Sequence, residues 1–445
     1  MNFQEFKQAV IEQAEKMGIA QYELYYQTAE STTVEVFKQE VKAFTSSTEG
    51  GVCFRCVVDG KMGYASTEEL SAQRAASVVA KAVDNARTLE TEEEVFLGQA
   101  GQVYEQLETV PYELPSTEEL LSGAMETQKK LYACNAAVID GSETETLAER
   151  NSIAIYNSNG LDLSYENTLS GYVAMALVSD GKDVADDFNF KLGNFHEIDT
   201  DALTKKTVDS AMQQLGGDVA PTGAYPVVFN TDAMCSLLST FSGIFSSEAA
   251  QKGLSKFAGK EGSAVASALV TLTDDPFHPG SHSKRTFDAE GSPTRRKNLI
   301  ENGELKTLLY NLKTAAVAGK TTTGNASKAG YDSPIGVQPF TLCLQPGAMS
   351  EAELLEQVGE GVYIISLGGL HAGANPITGD FSLQSSGFMI EGGKKTTFVK
   401  SFTVAGNYYD LLKNITAVAS NLELPGMARF GSPSVRVDGL SIAGK

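Results

Sequence analysis

The stretch GGLHAGANPITGDFSLQSSGFMIEGG, residues 368–393, joins a glycine-rich loop to two runs with the spacing of β-strands. Gly368, Gly369 and Gly373 permit backbone angles and close approaches that a Cβ would forbid. Apolar residues alternate at positions 381 and 383 and again at 388 and 390, which predicts strands on either side of residues 385–387. Gly392-Gly393 predicts a hairpin turn into a further strand. Loops joined to a sheet in this way often carry functional residues.

The length and the charge of the chain restrict the classes of protein to which it can belong. A chain of 445 residues exceeds the usual size of one hydrophobic core, so we expect two domains. The formal net charge of -21 repels phosphate backbones, which argues against direct binding of nucleic acid. No run approaches the ~18 apolar residues of a membrane span, and residues 1–18 lack the apolar core of a signal peptide. We therefore expect a cytoplasmic protein that does not bind membranes.

The five cysteines are scattered along the chain, which argues against a disulfide framework. Cys53 and Cys56 have the CxxC spacing of a redox or zinc half-site. They lie in a β-like run, however, where residues three apart face opposite sides of the sheet. Because no second CxxC exists, we interpret both as ordinary strand residues.

The first half of the chain alternates strand and helix signals. Asp59-Gly60 and Asn159-Gly160 predict tight turns between strands. The pairs Ser66/Glu69 and Ser116/Glu119 have the spacing of capping boxes before two helices, and a third helix is expected at 201–215. The segment GGDVAPTGAY, residues 216–225, is typical of a linker. We predict an N-terminal domain of strands and helices at 1–216 and a C-terminal β-rich domain at 217–445, which is an α+β fold.

The second half is predicted to be rich in strands. Helices are expected at Thr231–Phe245 and at Tyr408–Ser420, and a pair of strands near Val435–Ile442. Two loops, Asp274–Lys297 and Gly319–Gln338, are longer than usual connections, and long loops are commonly functional.

The segment 368–393 resembles the C-terminal signature of the TldD/PmbA family, which includes zinc peptidases and their partner subunits. Further segments follow the order of the family: FDAEGSPTRRKNLIENGELKTLLYN at 287–311, TGNAS at 323–327 and VKSFTVAGNYYDLLKNI at 399–415. GVCFRCVVDGKMGYAST at 51–67 and IYNSNGLDLSY at 155–165 match more loosely. The resemblance extends over nearly the whole chain and implies a twofold assembly, a homodimer or heterodimer, around an internal cavity.

The resemblance implies a helical HExxxH motif in the active members, with two histidines that bind zinc and a glutamate that acts as base. The corresponding helix here reads LLSTFSGI, residues 237–244. Ser239 and Ile244 stand in place of the histidines, and Thr240 stands in place of the glutamate. No cysteine follows Cys343, whereas the peptidase members supply a cysteine ligand near the C-terminus. This departure places the sequence with the PmbA (TldE) branch.

Members of that branch are implied to act as the metal-free partner of a TldD-type peptidase in proteolysis or in the maturation of a peptide. We therefore expect zinc only in the partner, no cofactor in this chain, and a role in holding an extended peptide by strand addition near the signature. The candidate residues for peptide binding are Gly368, Gly369, His371, Asn375, Asp380 and Ser382. Whether the chain is itself an enzyme stays open.

Other functions remain open at this stage. His278 and His282 flank a Pro-Gly-Ser turn downstream of Asp274 and Asp275, which makes them weak candidates for a metal site. A serine nucleophile at Ser385 has no neighbouring base in sequence. The chain could be a peptidase with another site, or a non-enzymatic regulator, as the family description "modulator of DNA gyrase" suggests.

Overall fold

The structure is a computed structural model that describes residues 1–90, 96–107 and 112–445. The N-terminal part contains strands β1 (Tyr22–Phe37), β2 (Glu40–Val58), β3 (Lys61–Thr67), β4 (Glu143–Asn157), β5 (Asp162–Ser179) and β6 (Val184–Gly193), and helices α1 (Phe3–Lys16), α2 (Ala72–Thr88), α3 (Thr117–Cys134) and α4 (Thr200–Gln213). None of the described helices combines the length and the apolar character that a membrane crossing requires.

The N-terminal strands form one antiparallel sheet in the order β3-β2-β1-β4-β5-β6. Alternate residues of a strand face opposite sides, and β1 shows what each side contacts. Leu24 packs with α1 and α2, and Val34 packs with α3 and α4, so the two helix pairs cover opposite ends of one face. Tyr25 points to the other face, where it packs against Phe287 and Ala326 of the C-terminal half. The second face of the sheet therefore contacts the long loops.

The C-terminal part begins at β7. Its strands are β7 (Asp218–Val219), β8 (Gly223–Ala224), β9 (Val227–Phe229), β10 (Leu272–Asp274), β11 (Lys297–Glu301), β12 (Glu304–Leu305), β13 (Ala326–Ser327), β14 (Gly336–Val337), β15 (Leu342–Leu344), β16 (Gly361–Gly368), β17 (Asp380–Glu391), β18 (Lys394–Asn407), β19 (Ile415–Val418), β20 (Phe430–Gly431), β21 (Val435–Val437) and β22 (Ser441–Ala443). Its helices are α5 (Thr231–Phe241), α6 (Ser247–Gln251), α7 (Leu312–Val317), α8 (Glu351–Val358), α9 (Leu370–Gly373) and α10 (Tyr408–Lys413).

Two main sheets enclose the C-terminal core. The larger sheet has the order β19-β21-β9-β16-β17-β18-β22-β8, and β7 also pairs with β18. The smaller sheet has the order β12-β11-β10-β15-β20. Between them lies a large apolar cluster that includes the buried face of α5. This packing holds α5 in a fixed position.

The predicted α+β class is confirmed. The turns at Asp59-Gly60, Asn159-Gly160 and Gly392-Gly393 connect paired strands, and Ser116 caps α3 as expected. The boundary between 216 and 217 stays a prediction.

Several local predictions were wrong. Ser66 lies in β3, and α2 is capped by Ser71 instead. The helix expected at 408–420 ends at Lys413, because residues 415–418 pair with β21 as a strand. The two last strands do not pair with each other: β21 pairs with β9 and β19, whereas β22 pairs with β8 and β18.

Candidate functional site

Helix α5 carries the positions where the zinc motif would lie. The helix begins after Asn230, whose side chain accepts a hydrogen bond from the N–H of Ala233 at 2.8 Å. Its contribution to the apolar core comes from Ala233, Met234, Leu237, Leu238 and Phe241. Phe241 stacks on Tyr408 with ring centroids 4.3 Å apart, which anchors the end of the helix in the core. The opposite face, with Ser239, is exposed.

The three substituted positions do not face one point. Ser239 lines a pocket, whereas the hydroxyl of Thr240 donates to the carbonyl of Ser236 at 2.8 Å. Ile244 is 1% exposed and belongs to the apolar core. The helix ends at Phe241 and continues as a 3-10 turn over Ser242–Phe245, which turns Ile244 inward.

The pocket beside Ser239 has a volume of about 530 Å³. Its wall is formed by three separate segments: residues 239–254, residues 337–339, and Arg429 with Phe430. Arg429 donates to Oε1 of Gln338 at 3.4 Å and to the carbonyl of Pro339 at 3.3 Å. Burial lowers the pKa of Arg429, and the nearby Arg285 lowers it further.

The side chains around this pocket do not fit a zinc ion. Zinc requires three or four His, Cys, Asp or Glu ligands. The lining residues supply one carboxylate, Glu248, which lies 2.6 Å from the ammonium of Lys252. Nowhere in residues 1–90, 96–107 and 112–445 do three such side chains come together in a way that could hold a metal. The pocket therefore has the chemistry of a binding site lined by hydroxyls and amides.

The histidines His278 and His282 are both partly buried, and the N–H of His278 donates to the carbonyl of Asp275 at 3.2 Å. Asp274 is fully buried and accepts hydrogen bonds from Lys297 and Asn325 at 2.9 and 2.7 Å. Nδ1 of His278 accepts the N–H of Gly280 at 3.2 Å. Burial lowers the pKa of both histidines. Among the described residues, these histidines and aspartates do not form a group of three potential metal ligands.

The signature loop lies on the surface, and its polar residues mostly hold the loop itself. Oδ1 of Asn375 accepts the N–H groups of residues 377 and 378, and Asp380 accepts Nδ2 of Asn407 at 2.8 Å. The latter bond lowers the pKa of Asp380. His371 and Ser382 are exposed, and Gly369 has a φ of 74° that favours glycine. Peptide binding by Gly368, Gly369, His371, Asn375, Asp380 and Ser382 stays a prediction.

The pairing of β17 restricts where strand addition near this loop can occur. This strand lies between β16 and β18, and its residues 384–390 are paired along both sides. Beyond the end of β16, Ala374 pairs with Phe381, and the N–H of Asn375 donates to the carbonyl of Asp380 at 2.9 Å. Strand addition elsewhere near the signature stays a prediction. Ser385 is buried and donates to the carbonyl of Leu383 at 3.0 Å.

The CxxC pair behaves as strand geometry requires. Cys56 packs with α1 and α2, whereas Cys53 lies on the other face with Tyr25 and Phe287. Both thiols are free and buried. Burial raises the pKa of Cys56 to about 11, which opposes formation of the reactive thiolate.

Sequence analysis missed a buried charged cluster where the N-terminal sheet meets the segment after Phe287. Asp288 accepts three backbone N–H groups, from Glu290, Ser292 and Ala326, each at 2.9 Å. Glu290 accepts the N–H of Leu312 at 2.8 Å. Burial raises the pKa of both carboxyls, and the adjacent Asp288 helps to raise that of Glu290 to about 8. Because the N–H donors stabilise ionised Asp288, Glu290 holds the proton of the pair.

The sequence of the chain matches three domain models of one protein family. Residues 22–86 match the family model described as PmbA/TldA metallopeptidase domain 1, residues 111–215 match the central domain, and residues 222–444 match the C-terminal domain. The chain belongs to the PmbA/TldD family. The α5 pocket, the buried cluster and the signature loop all lie in the part that matches the family's C-terminal domain.

Individual relatives agree with this assignment. The chain is 29% identical over 409 residues to a protein named metalloprotease from Methanothermobacter thermautotrophicus, covering 87% of this chain and 84% of the relative. A crystal structure from Thermotoga maritima, described as a candidate modulator of a DNA gyrase, is 29% identical with a TM-score of 0.90, covering 99% of this chain and all of that one. The crystal structure of TldE from Thermococcus kodakarensis, 23% identical with a TM-score of 0.88 over 99% of this chain and 100% of that chain, shows the same fold.

Proposed function

We propose that this chain is the peptide-binding subunit of a TldD-type metallopeptidase complex and that its partner carries the catalytic zinc. The observation that carries the proposal is the pocket at α5. The family model that matches residues 222–444 is named for a metallopeptidase domain, and the resemblance implies that the HExxxH motif of active members would lie at this helix. The lining of the pocket at α5 supplies no set of zinc ligands. A subunit of this kind binds substrate and leaves the attack on the peptide bond to another chain.

The lining of the pocket suits main-chain groups of a peptide better than a particular side chain. Within the described part of the chain, the hydroxyl of Ser239 has no hydrogen-bond partner, so it can donate to a peptide carbonyl. The amide of Gln338 and the guanidinium of Arg429 add donors on the opposite wall. Because amide groups recur along every peptide, such contacts give affinity with little dependence on sequence. This property suits degradation of unfolded peptides or the trimming of a precursor.

The proposal further implies a cytoplasmic heterodimer with a TldD-like subunit. The relative named TldE supports a subunit role by its fold, and the family contains relatives named TldD homologs. The net charge of -21 favours a protein partner over nucleic acid. A homodimer in the absence of the partner is compatible with the same proposal.

The test measures metal content and hydrolysis of an unfolded peptide for the purified chain, for a TldD-type subunit from the same organism, and for their mixture. We expect this chain to be inactive alone, and the mixture to be active, sensitive to a chelator, and metallated only in the partner. A mixture in which the HExxxH glutamate of the partner is replaced by glutamine is the matched control and should be inactive. Zinc-dependent hydrolysis by this chain alone would contradict the proposal and identify a stand-alone peptidase.

A second candidate follows from the Thermotoga structure, whose description names a modulator of DNA gyrase. The acidic charge of this chain is compatible with a protein partner of that kind. Inhibition of gyrase supercoiling by the purified chain, without any TldD-type subunit, would favour this candidate. An unchanged supercoiling rate would exclude direct modulation.

A further inference from the structure

A second pocket, separate from the one at α5, gathers positive charge in a chain that is strongly acidic. It has a volume of ≈ 400 Å³ and lies between the start of β11 and the loop that follows α7. Three cationic side chains, Arg295, Lys297 and Lys320, line it together with threonines at 307 and at 321–323. Such a concentration of cations is unexpected at a net charge of -21.

Two of these cations are balanced by carboxylates that do not line the pocket. Lys297 lies 2.9 Å from Oδ2 of Asp274, and Lys320 pairs with Glu261. Asp274 also accepts the N–H groups of residues 340 and 341 and the amide of Asn325. Glu261 also accepts the N–H of residue 308 and the hydroxyl of Tyr310. Each carboxylate therefore accepts hydrogen bonds from several donors in addition to its ion pair with a lysine.

Arg295 is different, because it is exposed and forms no ion pair or hydrogen bond with any residue that the structure describes. Its neighbour Arg296 is also exposed but lies 3.6 Å from Oδ2 of Asp275 and does not line the pocket. The guanidinium group presents a planar fork of N–H donors that matches the two oxygens of a carboxylate or a phosphate. An exposed arginine that lines a cationic pocket and has no partner among the described residues can bind an anion.

The threonine loop supplies neutral donors next to this charge. The hydroxyls of Thr322 and Thr323 donate to the carbonyl of Tyr310 at 2.9 and 3.1 Å, which fixes the loop. Neither the hydroxyl of Thr321 nor the N–H groups of Thr321 and Thr322 have a partner among the described residues. Backbone N–H groups that are fixed and unpaired bind oxyanions well, because no reorganisation is needed.

We propose that this pocket binds a single oxyanion, a carboxylate or a phosphate, with Arg295 as its main charged contact and Thr321 as a neutral donor. Lys297 and Lys320 add a positive field without losing their own partners. The C-terminal carboxylate of a peptide and free inorganic phosphate are the two sources of this chemistry. The site requires neither a partner subunit nor hydrolysis, so it goes beyond the function proposed above.

The pocket is connected to the one at α5 by a short series of hydrogen bonds. Oδ2 of Asp274 joins Lys297 to Nδ2 of Asn325, and the same amide donates to the carbonyl of Gln338 at 3.0 Å. Lys297 lines the cationic pocket, and Gln338 lines the pocket at Ser239. Buried Asp274 and Asn325 therefore join a residue that lines the cationic pocket to a residue that lines the proposed peptide pocket.

The experiment measures binding to the full chain by calorimetry at low ionic strength. The probes are an N-acetylated hexapeptide with a free C-terminal carboxylate, the same peptide as its C-terminal amide, and inorganic phosphate. We expect the acid peptide or phosphate to bind, with a dissociation constant that rises about tenfold or more in Arg295→Gln, since a charged hydrogen bond is lost. Arg296→Gln is the matched control, and its affinity should remain within about twofold of the unmodified chain.

The pattern of binding identifies the source of the anion. Preference for the acid peptide over the amide assigns the pocket to peptide termini, whereas binding of phosphate alone assigns it to phosphate. Both results support the proposal. Absence of binding by the acid peptide and by phosphate, or an equal loss in Arg295→Gln and Arg296→Gln, overturns it. Both arginines are exposed, so a thermal melt should show both variants folded.

Discussion

Nη2 of Arg55 lies 2.7 Å from Oε1 of Glu23, and the two side chains are 8% and 2% exposed. The pair links β1 to β2 on the face of the N-terminal sheet that contacts the C-terminal half. Nε of Arg55 donates to the same oxygen at 2.8 Å, so the contact is bidentate from the arginine. Burial lowers the pKa of Arg55, but the charge of Glu23 and the hydrogen bond to it act in the opposite direction, and the pKa is raised overall. The pair is therefore part of the junction between the halves of the chain.

Removal of one partner from this pair should be strongly destabilising. Arg55→Met leaves Glu23 buried without its counter-ion, and we expect a loss of about 3–5 kcal/mol in the free energy of unfolding. The double variant Glu23→Gln with Arg55→Met should lose less than Arg55→Met alone, because no unpaired charge remains. Urea denaturation followed by circular dichroism measures both. An equal loss in the single and double variants would mean that packing, rather than charge, explains the effect.

The raised pKa of Glu290 predicts that stability falls as the pH rises. A carboxyl whose pKa is about 8 when folded, against an ordinary value of 4.5, binds more protons in the folded state within that interval. Its favourable contribution is complete below pH 4.5 and is lost as the pH rises through about 8. The glutamine in Glu290→Gln cannot ionise, so this variant does not lose stability in this way. Between pH 5 and pH 9, its free energy of unfolding should therefore rise relative to that of the unmodified chain, by roughly 1.4 kcal/mol for each unit by which folding raises the pKa of Glu290.

Thermal melts at several pH values provide the measurement for Glu290. Glu356→Gln, on the exposed face of α8, is the matched control for the loss of one glutamate. Parallel pH profiles for Glu290→Gln and the unmodified chain would show that Glu290 is ionised in the folded protein at neutral pH.

The pocket at α5 can be filled without disturbing the fold. A Cβ at Gly243 would meet no atom within 4 Å, and its φ is not positive, so Gly243→Leu should change the free energy of unfolding by less than about 1 kcal/mol. If a peptide occupies this pocket, the reconstituted complex should show KM raised about tenfold with little change in kcat. Gly330→Leu, at a glycine outside the pocket, is the control for size. Unchanged KM in Gly243→Leu would exclude the pocket from substrate binding.

The exposed thiol of Cys134 should react much faster than the four buried thiols. Cys134 is exposed, whereas Cys53, Cys56, Cys235 and Cys343 are buried, and burial raises the pKa of all four. Ellman's reagent should label one thiol rapidly in the native chain and five after denaturation. Rapid labelling of a second thiol that persists in Cys134→Ser would mean that one of the buried faces is open in solution.

Local signals predicted the turns of the fold well. Asp59, Gly60, Gly392 and Gly393 all have positive φ, and that requirement is visible in the sequence because few residues tolerate it. The failure at residues 415–418 has a different cause. That segment continues a helical pattern from Tyr408, yet its β-branched residues pair with β21, twenty residues further on. Pairing between distant segments overrides local propensity and leaves no local signal.

The candidate site could be predicted only in part for the same reason. The resemblance located Ser239 and Thr240 on a helix, and the structure places Ser239 at a pocket. Gln338 and Arg429, which form the opposite wall, come from segments about 100 and 190 residues away, so sequence spacing gave no indication of them. The inward position of Ile244 depends on where α5 ends, which a hydrophobic pattern cannot define to one residue.

The pairing of β8 with β22 has a consequence for how the chain acquires its shape during translation. The sheet formed by β1 to β6 is complete once residue 193 has emerged from the ribosome. In the C-terminal part, by contrast, Gly223 of β8 can pair with Ile442 of β22 only after residue 442 has been synthesised. The N–H of Thr222 likewise donates to the carbonyl of Lys445 at 3.1 Å. Residues 403–405 of β18 thus stay unpaired on the side of β22 until residues 441–443 have been synthesised, and an unpaired strand edge in a partly folded chain is prone to aggregation.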